Sequence, residues 1–291
     1  MRVGYLFFAG LISANVEADV AILAPLSADG DNIATQIARQ IPASHPRIFQ
    51  NIKEIKASQY NLVIALGADA FTQACQAQNS SAVLATFLYR QDFVDSACST
   101  HVSAIYADSD PAAQLALIHE IFQKTSIGFI YTPKTKFYFD DLQHLSNSYD
   151  INIVGGEVLQ DDIFKTLRRI LDNSNFQLLL LSPDNTLYNK NTFRPVLEMM
   201  LRQYKGTVGY SPKLVEAGSI GATYFSEAVI INETVNAVQY YQEKHRLPAS
   251  TYPRDVTVKV NAHYLHAVFN ITPPDERVIE AHINEQRRKK P

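Results

Sequence analysis

The apolar run at residues 62–66 passes directly into Gly67-Ala68-Asp69-Ala70 and then into a helical stretch containing Phe71, Ala74 and Cys75. A strand that turns into a helix at a glycine leaves the first N–H groups of that helix without intrahelical partners. Together with the helix dipole they favour a carboxylate or another anion. The same geometry is expected at Ser182-Pro183-Asp184-Asn185, after the apolar run at residues 178–181, where Asp184 either faces a ligand or caps the following helix. The chain has no G-x-S-x-G elbow, no phosphate-binding P-loop and no dinucleotide glycine fingerprint. Its eight histidines are scattered. His263 and His266 fall on one helical face, but two imidazoles without a third ligand do not make a metal centre. The chemistry expected is capture of a small molecule without cofactor or metal, and not catalysis.

The elements that must position these groups alternate in type. Short apolar runs at residues 20–23, 62–66, 83–88, 127–131, 151–154 and 178–181 have the continuous hydrophobicity of parallel strands buried on both faces. Between them lie stretches long enough for crossover helices. One spans residues 111–123, where Pro111 opens the first turn and Leu115, Ile118, Ile121 and Phe122 share a face. Others span residues 163–172 and 192–204. Residues 218–226 and 255–261 read as strands separated by a helix at 228–245, the pattern of a chain that crosses between two lobes more than once. With 291 residues, two doubly wound α/β lobes are expected, with a ligand crevice beyond the carboxyl ends of the strands.

Charge and targeting narrow the function classes. A formal net charge of −3 gives no long-range attraction for nucleic acid. The one basic cluster, residues 287–290, falls in a polar C-terminal tail, residues 276–291, expected to be solvated. Arg2 precedes a nearly continuous apolar run at residues 3–14, too short to be a permanent membrane span and followed by small residues. Val16 and Ala18 suit a signal peptidase, so residues 1–18 are read as an export signal cleaved after Ala18. No cysteine lies near that point to carry a lipid anchor. The expected compartment is the periplasm, with a chain that is not membrane-embedded. There Cys75 and Cys98, the only cysteines, either close a disulfide or remain two unrelated thiols.

Residues 61–274 resemble the ABC-transporter substrate-binding family that includes tryptophan and related aromatic-amino-acid binding proteins, of the type I periplasmic-binding fold. Four stretches carry the resemblance: Leu62-Val63-Ile64-Ala65-Leu66-Gly67; Leu181-Ser182-Pro183-Asp184-Asn185-Thr186; Leu214-Val215-Glu216-Ala217-Gly218-Ser219-Ile220-Gly221-Ala222; and Val258-Lys259-Val260-Asn261 with Ile271-Thr272-Pro273-Pro274. It implies two lobes joined by three crossovers, near Ala107, Tyr224 and Val256. Residues 19–107 and 224–255 then form the N-terminal lobe, and residues 108–223 and 256–275 the C-terminal lobe. It also implies a cleft lined from one lobe by Gly67, Ala68, Asp69, Phe87, Tyr89 and Arg90, and from the other by Thr132, Lys134, Thr135, Asp184, Asn185 and Tyr210. In that cleft Arg90 and the helix N-termini serve a ligand carboxylate, Asp184 accepts its ammonium, and the aromatic residues either wall the ligand or pack as ordinary core. The sequence departs from the family at Ala68, where a threonine is usual, and at Tyr89-Arg90-Gln91-Asp92-Phe93, which replaces a threonine-aspartate-proline turn.

The resemblance implies a periplasmic binding protein that delivers an amino-acid-like ligand to an ABC permease. Two alternatives use the same fold: a sensor subunit that signals to a membrane kinase or cyclase, and a degenerate binding protein that acts through a protein partner.

Overall fold

The computed structural model describes residues 20–289 apart from residues 26, 42–45, 57, 78–80, 95–97, 99–100 and 160–161. The expected export signal, residues 1–18, lies outside the described residues. Five strands form the first sheet: β1 (Val20–Leu23), β2 (Arg47–Phe49), β3 (Leu62–Leu66), β4 (Ala82–Leu88) and β5 (Val102–Tyr106), in the order β2-β1-β3-β4-β5. All the pairings are parallel. Every residue of β1 and β3 is buried, which is why both read as unbroken apolar runs. Helices α1 (Ala28–Gln40), α2 (Gly67–Gln76) and α3 (Arg90–Val94) lie between these strands.

The chain then enters α4 (Pro111–Phe122), whose N-cap Asp110 accepts the N–H of Ala112 and whose Pro111 occupies the first turn. The second sheet has six strands in the order β11-β10-β9-β8-β6-β7. They are β6 (Thr125–Tyr131), β7 (Ile151–Glu157), β8 (Leu178–Leu180), β9 (Gly206–Gly209), β10 (Gly221–Tyr224) and β11 (Thr257–Val260), interleaved with α5 (Lys136–Ser146), α6 (Ile163–Asn173), α7 (Phe193–Arg202) and α8 (Pro212–Glu216). The β10–β11 pair is antiparallel and the others are parallel. Close packing fixes the register: a Cβ on Gly128 of β6 would lie 2.7 Å from the ring of Phe176, so only glycine admits that ring.

After β10 the chain returns to the first sheet as α9 (Glu227–Lys244), which packs on α1, β4 and β5. There the hydroxyls of Thr86 on β4 and Thr234 on α9 meet at 2.8 Å in the buried interface. Thr251 bridges to Ile105 beside β5, and the chain crosses again into β11, α10 (Ala262–Phe269) and α11 (Glu276–Lys289). Three segments therefore join the sheets: residues 107–110, 225–226 and 252–256.

The strand expected over residues 218–226 is shorter, because Gly218 sits at φ 122 just past α8. A larger correction concerns the C-terminus. The segment expected to be a solvated polar tail is α11, whose Ile279 and Ile283 are fully buried. Its polar residues satisfy the free edge of β11. The N–H groups of Val260, Val258 and Val256 donate to Glu276 Oε1 at 2.7 Å, Glu280 Oε2 at 3.0 Å and Asn284 Oδ1 at 2.8 Å. One helix face with carboxylates and an amide four residues apart thus takes the place of a neighbouring strand. The basic residues there are paired as well, Arg287 with Asp110, Arg288 with Asp255 and Lys289 with Glu285.

Candidate functional site

On the first sheet, β3 ends at Leu66 and Gly67 turns the chain into α2 at φ 84, a conformation that a side chain would strain. No side chain caps α2, since its N-cap position is Leu66. The first-turn N–H groups beside Ala68 and the exposed Asp69 are left to an outside acceptor. The neighbouring strand β4 ends in a register shift between Thr86 and Leu88. Phe87, the inserted residue, has φ 56, a left-handed conformation that costs a bulky side chain on the order of 1–3 kcal/mol. Its half-buried ring packs on the core, and packing is what holds it there. Tyr89 follows, and burial raises its hydroxyl pKa, with the Asp108 and Asp92 carboxylates adding to the effect.

On the second sheet, β6 ends at a 3-10 turn, Pro133–Thr135, closed by reciprocal bonds between Thr132 and Thr135. Asp184, 3% exposed, joins this turn to the end of β8. Its Oδ2 accepts the hydroxyls of Thr132 at 2.8 Å and Thr135 at 3.2 Å, and its Oδ1 accepts Thr186 N at 2.9 Å and Thr186 Oγ1 at 2.6 Å. A carboxylate offers about four acceptor directions, and all are taken. Asp184 thus ties two strand ends together and, by accepting Thr186 N on its side chain and Leu187 N and Tyr188 N on its carbonyl, also caps the turn that follows. Asn185 and Lys134 are exposed. Tyr210 follows β9; burial pushes its hydroxyl up to about 12, with Tyr89 and Asp184 contributing, so Tyr89 and Tyr210 stand within electrostatic reach of each other. Nearby, the buried hydroxyls of Tyr188 and Ser182 have no hydrogen-bond partner among the described residues.

Between the two sheets stands Arg90. Its guanidinium pairs with Asp141 of α5 and lies 4.7 Å from the ring centroid of Phe137 on the same helix. Burial opposes its charge, but Tyr252 and Asp141 more than compensate and hold its pKa above the ordinary arginine value. The cation expected to serve a ligand carboxylate already has an internal carboxylate, contributed by α5, which packs on the second sheet.

Asp108, Tyr138, Asp141 and Tyr252 belong to this centre and were missed from sequence. Asp108 is 3% exposed and accepts Arg90 N at 2.8 Å and the Tyr252 hydroxyl at 3.1 Å. Burial pushes its carboxyl up to about 7 against these two donors. The Tyr138 hydroxyl donates to the backbone oxygen of Ser109 and, at 3.2 Å, to Gln114 Oε1. The one available signal was Asp108-Ser109-Asp110 before Pro111, which reads as a helix start and hides which aspartate is the cap.

A disulfide joins Cys75 on α2 to Cys98, with Cα atoms 4.9 Å apart, and fixes α2 to the segment that precedes β5. Among the described residues no group of three His, Cys, Asp or Glu side chains is placed to hold a metal ion. No helix among them is long and apolar enough to cross a membrane.

No protein-family model matches the chain, and no curated protein matches it in sequence. Solved structures do match over most of its length. An open, ligand-free substrate-binding protein with adhesive properties from Clostridium difficile covers 87% of this chain and 95% of its own, with a TM-score of 0.61 and 13% identity. A conserved domain protein from Vibrio cholerae covers 91% and 98%, with a TM-score of 0.57 and 15% identity. An ABC domain from Streptococcus pneumoniae in complex with L-Trp covers 90% and 98%, with a TM-score of 0.56 and 12% identity. At these identities the likeness is one of fold, and the fold is that of type I periplasmic binding proteins: two mostly parallel α/β sheets with helices on their faces.

Proposed function

We propose that this chain is a two-lobed solute-binding protein that closes on a small amino-acid-like molecule and delivers it to an ABC importer. In this reading residues 19–107 and 224–255 form one lobe, and residues 108–223 and 256–275 form the other, with α11 added to it. Export with cleavage after Ala18 places the protein in the periplasm.

The observation that carries the reading is the uncapped N-terminus of α2 at the strand ends, with Phe87, Tyr89 and Tyr210 close by. The ligand carboxylate sits on the N–H groups that follow Gly67, where it completes what the helix lacks. Asp69, exposed in the same turn, takes the role of ammonium acceptor in place of Asp184, whose oxygens already accept Thr132, Thr135 and Thr186. Arg90 is the second carboxylate donor, reached when the ligand displaces Asp141 from it. Tyr89 and Tyr210, one from each lobe, close over the ligand's apolar part.

A second reading rests on the same arginine. The Arg90–Asp141 pair and the Arg90–Phe137 contact already supply the charge and stacking of a ligand, so the lobes are held together without one, and the protein acts through a protein partner.

A thermal-shift screen of the chain from Asp19, against amino acids, small carboxylates, purines and polyamines, separates the two. A ligand that binds only the folded state at about 100 times its Kd adds roughly 2.7 kcal/mol. Hits confined to molecules with a carboxylate support capture. A well-folded protein that answers to none of them sinks the capture reading and favours the self-occupied cleft.

A further inference from the structure

The three connections between the lobes meet at one side chain. Arg287, near the end of α11, pairs through Nη1 with Asp110 of the first connection. Its Nε donates to Arg254 O at 2.9 Å and its Nη2 to Pro253 O at 2.7 Å, both in the third connection. Its guanidinium carbon lies 6.0 Å from the ring centroid of Phe225 in the second. The side chain is 14% exposed, so these contacts are made largely out of water.

We propose that Arg287 is a positioning residue of the hinge: by gripping all three connections at once it sets the angle at which the lobes rest. The proposal rests on the two-lobed reading above, but not on any particular ligand. α11 is anchored to the second sheet by Ile279, Ile283 and the three side chains that cap β11, so Arg287 is carried by one lobe and holds the segments that must twist when the other moves. The guanidinium is planar, with its donors in a fixed fork. Rotation about residues 252–256 shifts the carbonyls of Pro253 and Arg254 relative to Asp110, and a rigid fork cannot follow both. Asp110 transmits the constraint further, since its other oxygen accepts Ala112 N at 2.9 Å and so fixes the start of α4. Burial lowers the pKa of Arg287 to about 10, which leaves it charged at neutral pH. An open pocket of about 780 Å³ borders the same contacts, and the third connection is held besides by the Tyr252–Asp108 bond and by Asn284 on Val256.

The test is the interlobe distance distribution, measured by pulsed electron resonance between spin labels at K53C in the first lobe and D172C in the second, with the native disulfide kept oxidised. The protein without ligand, R287A, R287K and R288A are compared. R287A is expected to widen or shift the distribution. R287K, which keeps a charge for Asp110 but cannot reach both carbonyls, is expected to do the same to a smaller extent. R288A, on the same helix, removes one solvent-exposed pair with Asp255 of the third connection and touches neither of the other two; it is expected to match the parent. If R287A or, should it fail to fold, R287K lowers the melting temperature while its distribution superimposes on the parent's, the arginine is merely structural and the proposal is overturned. Because no ligand enters the measurement, a silent ligand screen defeats the capture reading without touching this result.

Discussion

Tyr252 donates its hydroxyl to Asp108 Oδ2 at 3.1 Å, which binds the third connection to the first at the point where both leave the first sheet. The same aspartate accepts Arg90 N through its other oxygen. The side chain of Arg90 reaches Asp141 on the far lobe, so a buried carboxyl, a hinge tyrosine and the interlobe arginine form one connected group.

The carboxyl of Asp108 makes stability depend on pH. Its pKa is raised from 3.8 unfolded to about 7 folded. Between those values the folded state holds a proton that the unfolded state has released, so stability falls as pH rises through the window and levels off above it. The groups that face it are Arg90, Tyr89, Tyr106, Tyr138 and Tyr252, and the tyrosines are all held above their ordinary pKa, so Asp108 is the member that titrates. At about 1.4 kcal/mol per pKa unit, the effect is on the order of a few kcal/mol. Melting temperatures from pH 5 to pH 8 are expected to decline in the parent and to stay nearly level in D108N. Parallel profiles would refute the assignment.

Asp141 competes with any ligand for Arg90. The pair is partly exposed, at 25% and 38% of the two side chains, so its loss costs only about 0–1 kcal/mol. D141N should melt within a few degrees of the parent yet bind a carboxylate ligand more tightly, and R90A should weaken the same ligand by roughly tenfold or more, the worth of a charged hydrogen bond. Isothermal titration with the best hit of the ligand screen measures both. Equal affinity in all three proteins would remove Arg90 from the site.

The β11 edge depends on acceptors from α11. E280A leaves the N–H of Val258 buried and unpaired, a loss of about 1–3 kcal/mol. E280Q keeps the acceptor oxygen and should retain most of the stability. Urea unfolding of the two variants tests this; equal losses would mean that the charge of Glu280, and not its acceptor, matters.

The Cys75–Cys98 disulfide closes a loop with a sequence separation of 23, worth about 3 kcal/mol in the chain-entropy description. Reduction, or the C75S/C98S double variant, should lower the melting temperature by several degrees and leave the second lobe's core intact. An unchanged melting curve under reductant would show that the bond contributes nothing measurable.

The sequence by itself determined the layers. Runs such as Leu62–Leu66 and Leu178–Leu180 are apolar at every position because both faces of a parallel strand are covered, and that pattern survives without any knowledge of neighbours. The glycine junction at α2 was legible for the same reason, since a helix start after a strand is a local event. Strands β2, β5 and β9 and helices α1, α3, α5 and α8 were not anticipated: β2 has only three residues and β9 is mostly glycine and threonine, so neither shows a period. Only the tertiary structure decided which polar groups are free. In sequence Asp184 reads as a ligand contact or a cap; that Thr132 and Thr135, some 50 residues away, also donate to it is decided by folding alone. Arg90 looked available until Asp141 was placed beside it, and two aspartates two residues apart, Asp108 and Asp110, proved to be a buried hinge carboxyl and a helix cap. In α11 a pair of isoleucines within a charged segment was too faint a stripe to predict docking. Strand and helix formation follow from periods along the chain, whereas the satisfaction of a charge depends on a partner that folding alone brings within reach.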